Sequence, residues 1–189
     1  AGTDPMQAVR YRCFGGPEVL QLETVEKPSP GPKEVLVRVE AAGVNPLDWH
    51  YMRGEPYIMR LMGAGTGKPS SPKLGVDYAG RVERVGAQVT TFAAGDRVFG
   101  AAWGAFGEYL VLAEDGSLVN VPDRIDLQQA ASVGIAGVTA LQALRDVAQI
   151  QPGQKVLING ASGGVGTFAV QLAKAMGAEV HGVCSTRNQ

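Results

Sequence analysis

The stretch VLINGASGGVG, from Val156 to Gly166, joins a short apolar run to a glycine-rich turn. The apolar run is typical of a buried parallel strand. After the turn, apolar residues recur at the spacing of one helix face, and Gly177 stands where a helix C-cap is expected. The segment EVHGVC then has the composition of a second strand. Strand, helix and strand within about thirty residues predict one βαβ unit. The apolar helix face comprises Val165, Ala169, Leu172, Ala173 and Met176.

The glycine turn has the spacing of a dinucleotide-binding fingerprint. Its first position is Ala161, its second Gly163 and its third Gly166. The second position lets the backbone approach a pyrophosphate, and the third lets the helix pack closely against the strand. Peptide N–H groups at the start of the helix are expected to meet the phosphate oxygens, aided by the helix dipole. The alternative is a glycine-rich turn without a ligand. We assign cofactor binding here to Ala161, Ser162, Gly163, Gly164, Val165 and Gly166.

The end of the second predicted strand indicates which dinucleotide is preferred. The fingerprint expects an acidic residue there to bind the ribose hydroxyls. This chain instead continues with Ser185, Thr186 and Arg187. A hydroxyl and a guanidinium favour a 2′-phosphate, which a carboxylate would repel. These three residues therefore predict NADPH (the NADP couple) as cofactor, unless Arg187 is an ordinary solvated loop charge.

The composition excludes several classes of protein. The 189 residues carry a net charge of −1, which argues against a nucleic-acid partner. No apolar run reaches the length of a membrane span, so no membrane partner is expected. Two cysteines far apart in sequence are typical of a reducing cytoplasm. Residues 1–5, AGTDP, are interpreted as a remnant of cloning, with Met6 as the natural start.

Residues 6–127 predict a β-rich domain, because short alternating segments are separated by many turn signals. One helix interrupts them in NPLDWHYMRGE, with Asn45 as N-cap and Pro46 at the first helical position. After Pro122 the sequence becomes rich in Ala. It predicts two helices separated at Gly134 and Gly137, followed by the βαβ unit.

The motifs taken together resemble the medium-chain dehydrogenase/reductase superfamily, in its zinc-independent, quinone-oxidoreductase-like branch. The resemblance covers Met6 to the last residue. It implies an α/β plus β fold: a GroES-like β-barrel domain over residues 6–127, then the first βαβ unit of a Rossmann doubly wound sheet over residues 128–189. The motifs that carry it are FGGPEVL, AAGVNPLDW, GVDYAGRVERVG, FAAGDRVFG, GAFGEYL, QAASVGIAGVTALQAL and NGASGGVGTFAVQLAKAMGAEV.

The same resemblance bears on metal binding. Zinc-dependent relatives carry a cysteine at or beside Asn45 and Gly-His-Glu where this chain has Gly75, Val76 and Asp77. They also carry a four-cysteine loop that this chain lacks. Structural zinc needs four ligands and catalytic zinc three, which two scattered cysteines and two histidines do not supply. We predict that no metal is bound.

The resemblance implies an NADP-dependent reductase that transfers hydride to a quinone or an α,β-unsaturated carbonyl. Asn45 matches an asparagine of the family's cleft and is the first catalytic candidate, as a donor to the acceptor oxygen. Thr139 matches a position beside the nicotinamide, with a hydroxyl bonded to its own helix as the alternative. Further catalytic candidates, for which a packing or surface role is equally open, are Asp48, His50, Tyr51 and Tyr57.

Two other functions stay open: an NADPH-binding redox sensor or interaction protein without turnover, and an enoyl-thioester reductase. For the latter, Arg60, Lys68 and Lys73 offer a basic entrance. Family members continue well beyond Gln189, so we expect a truncated or proteolysed chain, or the ordered part of a longer one. This piece is expected to be inactive alone. The full-length form is expected to be a cytoplasmic homo-oligomer that acts on a small molecule.

Overall fold

The computed structural model describes residues 4–188 and separates a first unit, which ends at Gly134, from a second, which begins at Ile135. The domain boundary predicted after residue 127 stays a prediction. Of the predicted cloning remnant, residues 1–3 lie outside the described part of the chain. Pro5 already belongs to the first strand, where it pairs with Glu26.

The first unit is built mainly of strands. Its helices are α1 (Pro46–Arg53) and α2 (Leu127–Ala130), with a 3₁₀ turn at Pro17–Val19 and a π-helical turn at Arg60–Ala64. The strands are β1 (Pro5–Arg10), β2 (Gln21–Glu26), β3 (Glu34–Gly43), β4 (Asp77–Val85), β5 (Arg97–Ala101), β6 (Tyr109–Ala113) and β7 (Val119–Asn120).

An antiparallel sheet in the order β6-β3-β4-β5-β7 forms the body of this unit, and β1 and β2 pair as a separate antiparallel ribbon. Val35 and Val37 of β3 are fully buried in the core, because alternate strand residues share one sheet face. Tyr78 of β4 packs in the same core and donates its hydroxyl hydrogen to the carbonyl of Ser117. The β-rich prediction for this part of the chain is confirmed.

Helix α1 follows the prediction closely. Asn45 is its extended N-cap, and Pro46 occupies the first helical position. The helix ends at Gly54, whose φ of 62° is the left-handed conformation that favours glycine at a C-cap. This helix carries four of the five catalytic candidates on or beside its first turns, so its position decides what those residues contact.

As far as residue 188, the second unit contains one parallel pair, β8 (Lys155–Asn159) and β9 (Glu179–Val183), connected by helix α4 (Gly164–Ala175). Helix α3 (Ala136–Leu141) continues into a π-helical segment, Gln142–Val147, and a 3₁₀ turn, Thr186–Asn188, ends the described chain. The predicted βαβ unit is therefore confirmed. The predicted interruption at Gly137 is wrong, because Gly137 lies buried inside α3.

Helix α4 packs its small residues against the strands. Ala169 and Ala173 are buried with Ile158 of β8 and with Ala140 and Leu144. Val165, which the sequence assigned to the same face, is 41% exposed. It lies in the first turn, where the helix meets the glycine loop. The start of α4 is thus open to solvent while its body is packed.

Candidate functional site

The glycine turn of the second unit is tied to the end of β9. The peptide N–H groups of Gly160 and Ala161 both donate to the carbonyl of Val183, each across 2.9 Å. Gly160 has a φ of 75°, so the left-handed residue that makes the turn is Gly160 and not Ala161, the first fingerprint position in the sequence. The Asn159–Gly160 dipeptide is the sequence signal for such a turn.

The third fingerprint position, Gly166, requires glycine for a steric reason. A Cβ on Gly166 would lie 2.1 Å from the carbonyl oxygen of Gly160 and 2.8 Å from the Cα of Ala161. Both are backbone atoms, so no side-chain movement would relieve the overlap. By contrast, nothing lies within 4 Å of a Cβ on Gly164. The turn is therefore closed towards the strand and open on the side of Gly164.

The start of α4 presents free peptide donors on that open side. Gly163 is the N-cap, and no side chain caps the helix. Within residues 4–188, the N–H groups of Gly164 and Val165 have no hydrogen-bond acceptor, and both residues are exposed. The first N–H groups of a helix need partners and favour anions. This donor set, beside the glycine backbone of Gly163 and Gly164, fits the diphosphate of a dinucleotide.

The segment after β9 lies against this turn. The side-chain amide of Asn188 donates to the hydroxyl of Ser162 across 3.0 Å, and the N–H of Asn188 donates to the carbonyl of Ser185 across 2.9 Å. Arg187, on the same 3₁₀ turn, is exposed and makes no hydrogen bond or ion pair within the described residues. The structure thus connects the turn that contains Ser185, Thr186 and Arg187 to Ser162 through Asn188. Asn188, which makes the connection, was missed as a site residue.

In the first unit, Asn45 connects two buried carboxyl groups. Its peptide N–H donates to Oδ2 of Asp48 across 2.8 Å, and its side-chain Nδ2 donates to Oδ2 of Asp77 across 3.0 Å. Because a carboxylate only accepts, the amide nitrogen of Asn45 must face Asp77. The second N–H of that amide has no acceptor within the described part of the chain. Asp77 was missed as a site residue, although its place in GVD was noted.

Asp48 is buried to 2% exposure, and its Oδ1 has no hydrogen-bond partner among the described residues. Burial raises the pKa of this carboxyl above its ordinary value, and the nearby charge of Asp77 raises it further. The peptide N–H groups of Asn45 and Gly75 act in the opposite direction and do not cancel the rise. Asp48 is therefore a buried carboxyl group of the first unit whose pKa is raised.

The other catalytic candidates on or after α1 contact different partners. The ring of His50 stacks on Trp49, with centroids 3.9 Å apart, and its Nδ1 donates to the carbonyl of Glu55 across 2.6 Å. Tyr51 packs against Trp103 at a centroid distance of 4.5 Å. Tyr57 is 71% exposed beside the guanidinium of Arg60. These contacts are structural, and they do not join the cluster around Asn45.

Thr139 lies on the exposed side of α3 in the second unit. Its hydroxyl makes no hydrogen bond within residues 4–188, so the predicted alternative, a hydroxyl bonded to its own helix, is not seen. Nor do those residues contain three or more His, Cys, Asp or Glu side chains grouped to hold a metal ion. Within the same part of the chain, no helix is long and apolar enough to cross a membrane.

The chain thus places a β-rich unit before a βαβ unit with an open glycine turn. Residues 31–123 match the alcohol dehydrogenase GroES-like domain family. Over nearly its whole length the chain is similar to proteins of the medium-chain dehydrogenase/reductase superfamily, in its quinone-oxidoreductase-like branch.

Three known proteins illustrate the similarity. The quinone oxidoreductase of Pseudomonas aeruginosa is 42% identical over 180 residues, which is 94% of this chain and 52% of that protein. The crystal structure of Escherichia coli quinone oxidoreductase complexed with NADPH matches with a TM-score of 0.81 and 33% identity, over 96% of this chain and 54% of that one. The CurK enoyl reductase structure matches with a TM-score of 0.88 and 28% identity, over 97% and 55%.

The chain spans about half the length of the curated relatives it matches.

Proposed function

We propose that the protein is an NADPH-dependent oxidoreductase that transfers hydride to a quinone or an α,β-unsaturated carbonyl without zinc. The observation that carries the proposal is the glycine turn, with free N–H groups on Gly164 and Val165 and with the turn of Arg187 tied to Ser162. We assign NADP binding to residues 128–189 and substrate binding to residues 6–127. The activity is that of the complete protein, and residues 1–189 alone are expected to be inactive.

The preference for NADPH follows from the segment after β9. A 2′-phosphate needs donors and positive charge, and Ser185, Thr186 and Arg187 offer two hydroxyls and one unpaired guanidinium. No carboxylate in this segment repels the phosphate. The hydrogen bond from Asn188 to Ser162 holds this segment beside the phosphate turn. This placement favours a cofactor-binding role for Arg187 over that of an ordinary exposed loop arginine.

For the chemical step, the bound nicotinamide supplies the hydride. The protein's own residues position the acceptor and stabilise the negative charge that develops on its oxygen. The unused N–H on the amide of Asn45 is the donor we assign to that oxygen. The other N–H of this amide donates to the Asp77 carboxylate, and that hydrogen bond orients the amide. Thr139 supports the nicotinamide side with its unpartnered hydroxyl.

The zinc-free assignment rests on the side chains at the expected ligand positions. Asn45, Val76 and Asp77 stand where zinc-dependent relatives carry cysteine, histidine and glutamate. The side chains of Asn45 and Asp77 are hydrogen bonded to each other. Zinc in proteins is bound by thiolates, imidazoles and carboxylates, and this trio offers one carboxylate alone. Quinones and enones are activated acceptors, so reduction without a Lewis acid is chemically reasonable.

An enoyl-thioester reductase is the second candidate, favoured by the similarity to CurK enoyl reductase. Of the three basic residues predicted at its entrance, Arg60 is engaged in other contacts. Arg60 donates to the carbonyl of Gly54 and lies over the ring of Phe14. Lys68 and Lys73 are exposed and have no ion pair within the described residues. A cofactor-binding protein without turnover is the third candidate.

Titration of the complete protein with NADPH and NADH, followed by NADPH oxidation assays, tests the proposal. Tighter NADPH binding and turnover of a quinone or a 2-alkenal would support it. Turnover of an enoyl thioester alone would favour the second candidate. Binding of NADPH without its oxidation by any of the three acceptors would favour the third candidate, a cofactor-binding protein without turnover. We propose a cytoplasmic homo-oligomer as the working form, and light scattering of the purified complete protein checks the oligomeric state.

A further inference from the structure

We propose that a cavity between the β1–β2 ribbon and β6 binds a small aromatic monocarboxylate. The carboxylate of this ligand lies against Arg10 and Lys73, and its ring lies between Trp103 and the apolar residues of the cavity. The proposal uses no residue of the glycine turn and no residue of the cluster around Asn45. It therefore stands or falls independently of the proposed function.

The cavity is small and largely apolar. Its volume is about 190 Å³, below the roughly 300–1,000 Å³ of sites for drug-sized ligands, so it suits a smaller molecule. Met6 and Ala8 of β1 and Leu110 of β6 line it and are buried. Trp103 and Tyr109 add two aromatic residues to the lining. An apolar ring is therefore the expected body of a ligand in this cavity.

Two positively charged residues meet at one end of the cavity. Arg10, the last residue of β1, and Lys73 are partners of an antiparallel bridge, and both line the cavity. Side chains of directly opposed residues lie side by side, and like charges in that position repel. A Cβ on Gly104, which also lines the cavity, would lie 3.4 Å from Cδ of Lys73. An anion bound between the two cations would relieve their repulsion.

No carboxylate of the protein takes this place. Across residues 4–188, neither Arg10 nor Lys73 forms an ion pair. The charge of Arg10 does reach Glu23. However, the carboxylate of Glu23 accepts two hydrogen bonds from Arg12, across 3.1 and 2.7 Å. The pair of cations is thus available to a carboxylate from outside the chain, which arginine and lysine bind through charge-assisted hydrogen bonds.

The acidic residue in the lining, Glu26, lies at the opposite end. Glu26 is paired with Pro5 in the ribbon, at the other end of β1 from Arg10. The two positions are roughly 17 Å apart along the strand. Because Glu26 would repel a second carboxylate there, the cavity favours a ligand with one acidic group.

The strand register connects the two parts of the site. Met6, Ala8 and Arg10 alternate along β1, so they share one face of the strand. That face leads from an apolar surface directly to the guanidinium-bearing residue. Trp103, which packs on Tyr51 at a centroid distance of 4.5 Å, is still 39% exposed. It can therefore contact the ring of a ligand without losing its structural contact.

Titration with benzoate tests the site without an activity assay. In complete protein labelled with ¹⁵N at tryptophan, benzoate should shift the indole N–H signal of Trp103 in a saturable manner. The signal of Trp49, which stacks on His50 and does not line the cavity, should stay unchanged. Trp103→Phe assigns the signal. Benzyl alcohol lacks the charge and acetate lacks the ring, so each should bind at least about 10-fold more weakly than benzoate.

Lys73→Met should weaken benzoate binding by about 10-fold or more, because a charge-assisted hydrogen bond is lost. Without benzoate, the same variant should unfold at a temperature equal to or above that of wild type, since one of two like charges is removed. Arg10→Gln repeats the binding test from the other side of the bridge. Lys33→Met, at an exposed lysine that does not line the cavity, is the control and should change neither result.

Three results would overturn the proposal: no saturable shift of Trp103, equal affinity for benzoate and acetate, or unchanged benzoate binding in both Lys73→Met and Arg10→Gln. None of these measurements involves NADPH. A failure of the complete protein to oxidise NADPH would therefore contradict the proposed function and leave the result for this cavity unaffected.

Discussion

The side-chain amide of Asn188 donates a hydrogen bond to the hydroxyl of Ser162 across 3.0 Å. The two residues are 26 positions apart and belong to different loops, the glycine turn before α4 and the 3₁₀ turn after β9. This contact holds the segment that carries Arg187 beside the peptide donors of Gly164 and Val165. In the proposed function, the two ends of an NADP phosphate site are joined before the cofactor binds.

Asn188→Ala should weaken NADPH binding by about 2- to 12-fold, because a neutral hydrogen bond contributes roughly 0.5–1.5 kcal/mol. Ser162→Ala should cause a similar loss, and the double variant should lose little more than either single one. Isothermal titration calorimetry on the complete protein measures all three. Fully additive losses would mean that each residue acts on the cofactor independently of the contact between them.

Arg187→Ala should weaken NADPH binding by about 1.5–3 kcal/mol, roughly 10- to 150-fold, since a hydrogen bond to a charged group is lost. NADH binding should change little, because NADH has no 2′-phosphate. Arg124→Ala, at another exposed loop arginine in the first unit, is the control and should alter neither affinity. Equal weakening of NADPH and NADH by Arg187→Ala would contradict the assignment.

Gly166→Ala should destabilise the protein by about 1–3 kcal/mol, the usual cost of inserting a methyl group into closed packing. The new Cβ would lie 2.1 Å from the carbonyl oxygen of Gly160. Gly164→Ala adds the same methyl group where no atom lies within 4 Å, so its free energy of unfolding should stay within about 0.5 kcal/mol of wild type. Urea denaturation followed by circular dichroism compares the two. Equal stability of the two variants would show that the close packing at Gly166 is not needed.

Glu114→Gln should destabilise the first unit at neutral pH and reduce its sensitivity to acid. The carboxylate of Glu114 accepts the N–H groups of Thr90 and Thr91, and these bonds lower its pKa. A lowered native pKa stabilises the fold above the unfolded value of about 4.3, and that contribution is lost as pH falls through the lowered value. Denaturation midpoints from pH 7 to pH 3 measure the effect. Asp115→Asn, at the neighbouring residue without a hydrogen bond in the described chain, should leave the midpoints unchanged.

Much of the fold was predictable because its signals are local. The alternation of Val35 and Val37 marks β3, and the Asn45–Pro46 pair marks the start of α1. The small residues Ala169 and Ala173 recur at helical spacing and do pack against the strands. Two predictions from local steric preference were wrong. The left-handed residue of the turn is Gly160 and not Ala161, and Gly137 lies inside a helix.

The candidate site was only partly predictable, because its defining contacts join residues that are distant in sequence. Asn45 and Asp77 are 32 positions apart, and no periodicity relates them. For His50 and Tyr51, a catalytic role and a packing role were equally open from their place in the sequence. Their rings are engaged by Trp49 and Trp103, which no local pattern indicated.

By itself, the sequence determined where strands, helices and the glycine turn lie, and it predicted a dinucleotide phosphate at the turn. These features depend on backbone sterics and on the repeat of side chains along one segment. Only the tertiary structure decided that Asn188 bonds to Ser162 and that Asp48 is buried beside Asp77 around Asn45. Burial and pairing arise when separate segments pack together, and a buried charge acquires its properties from those neighbours.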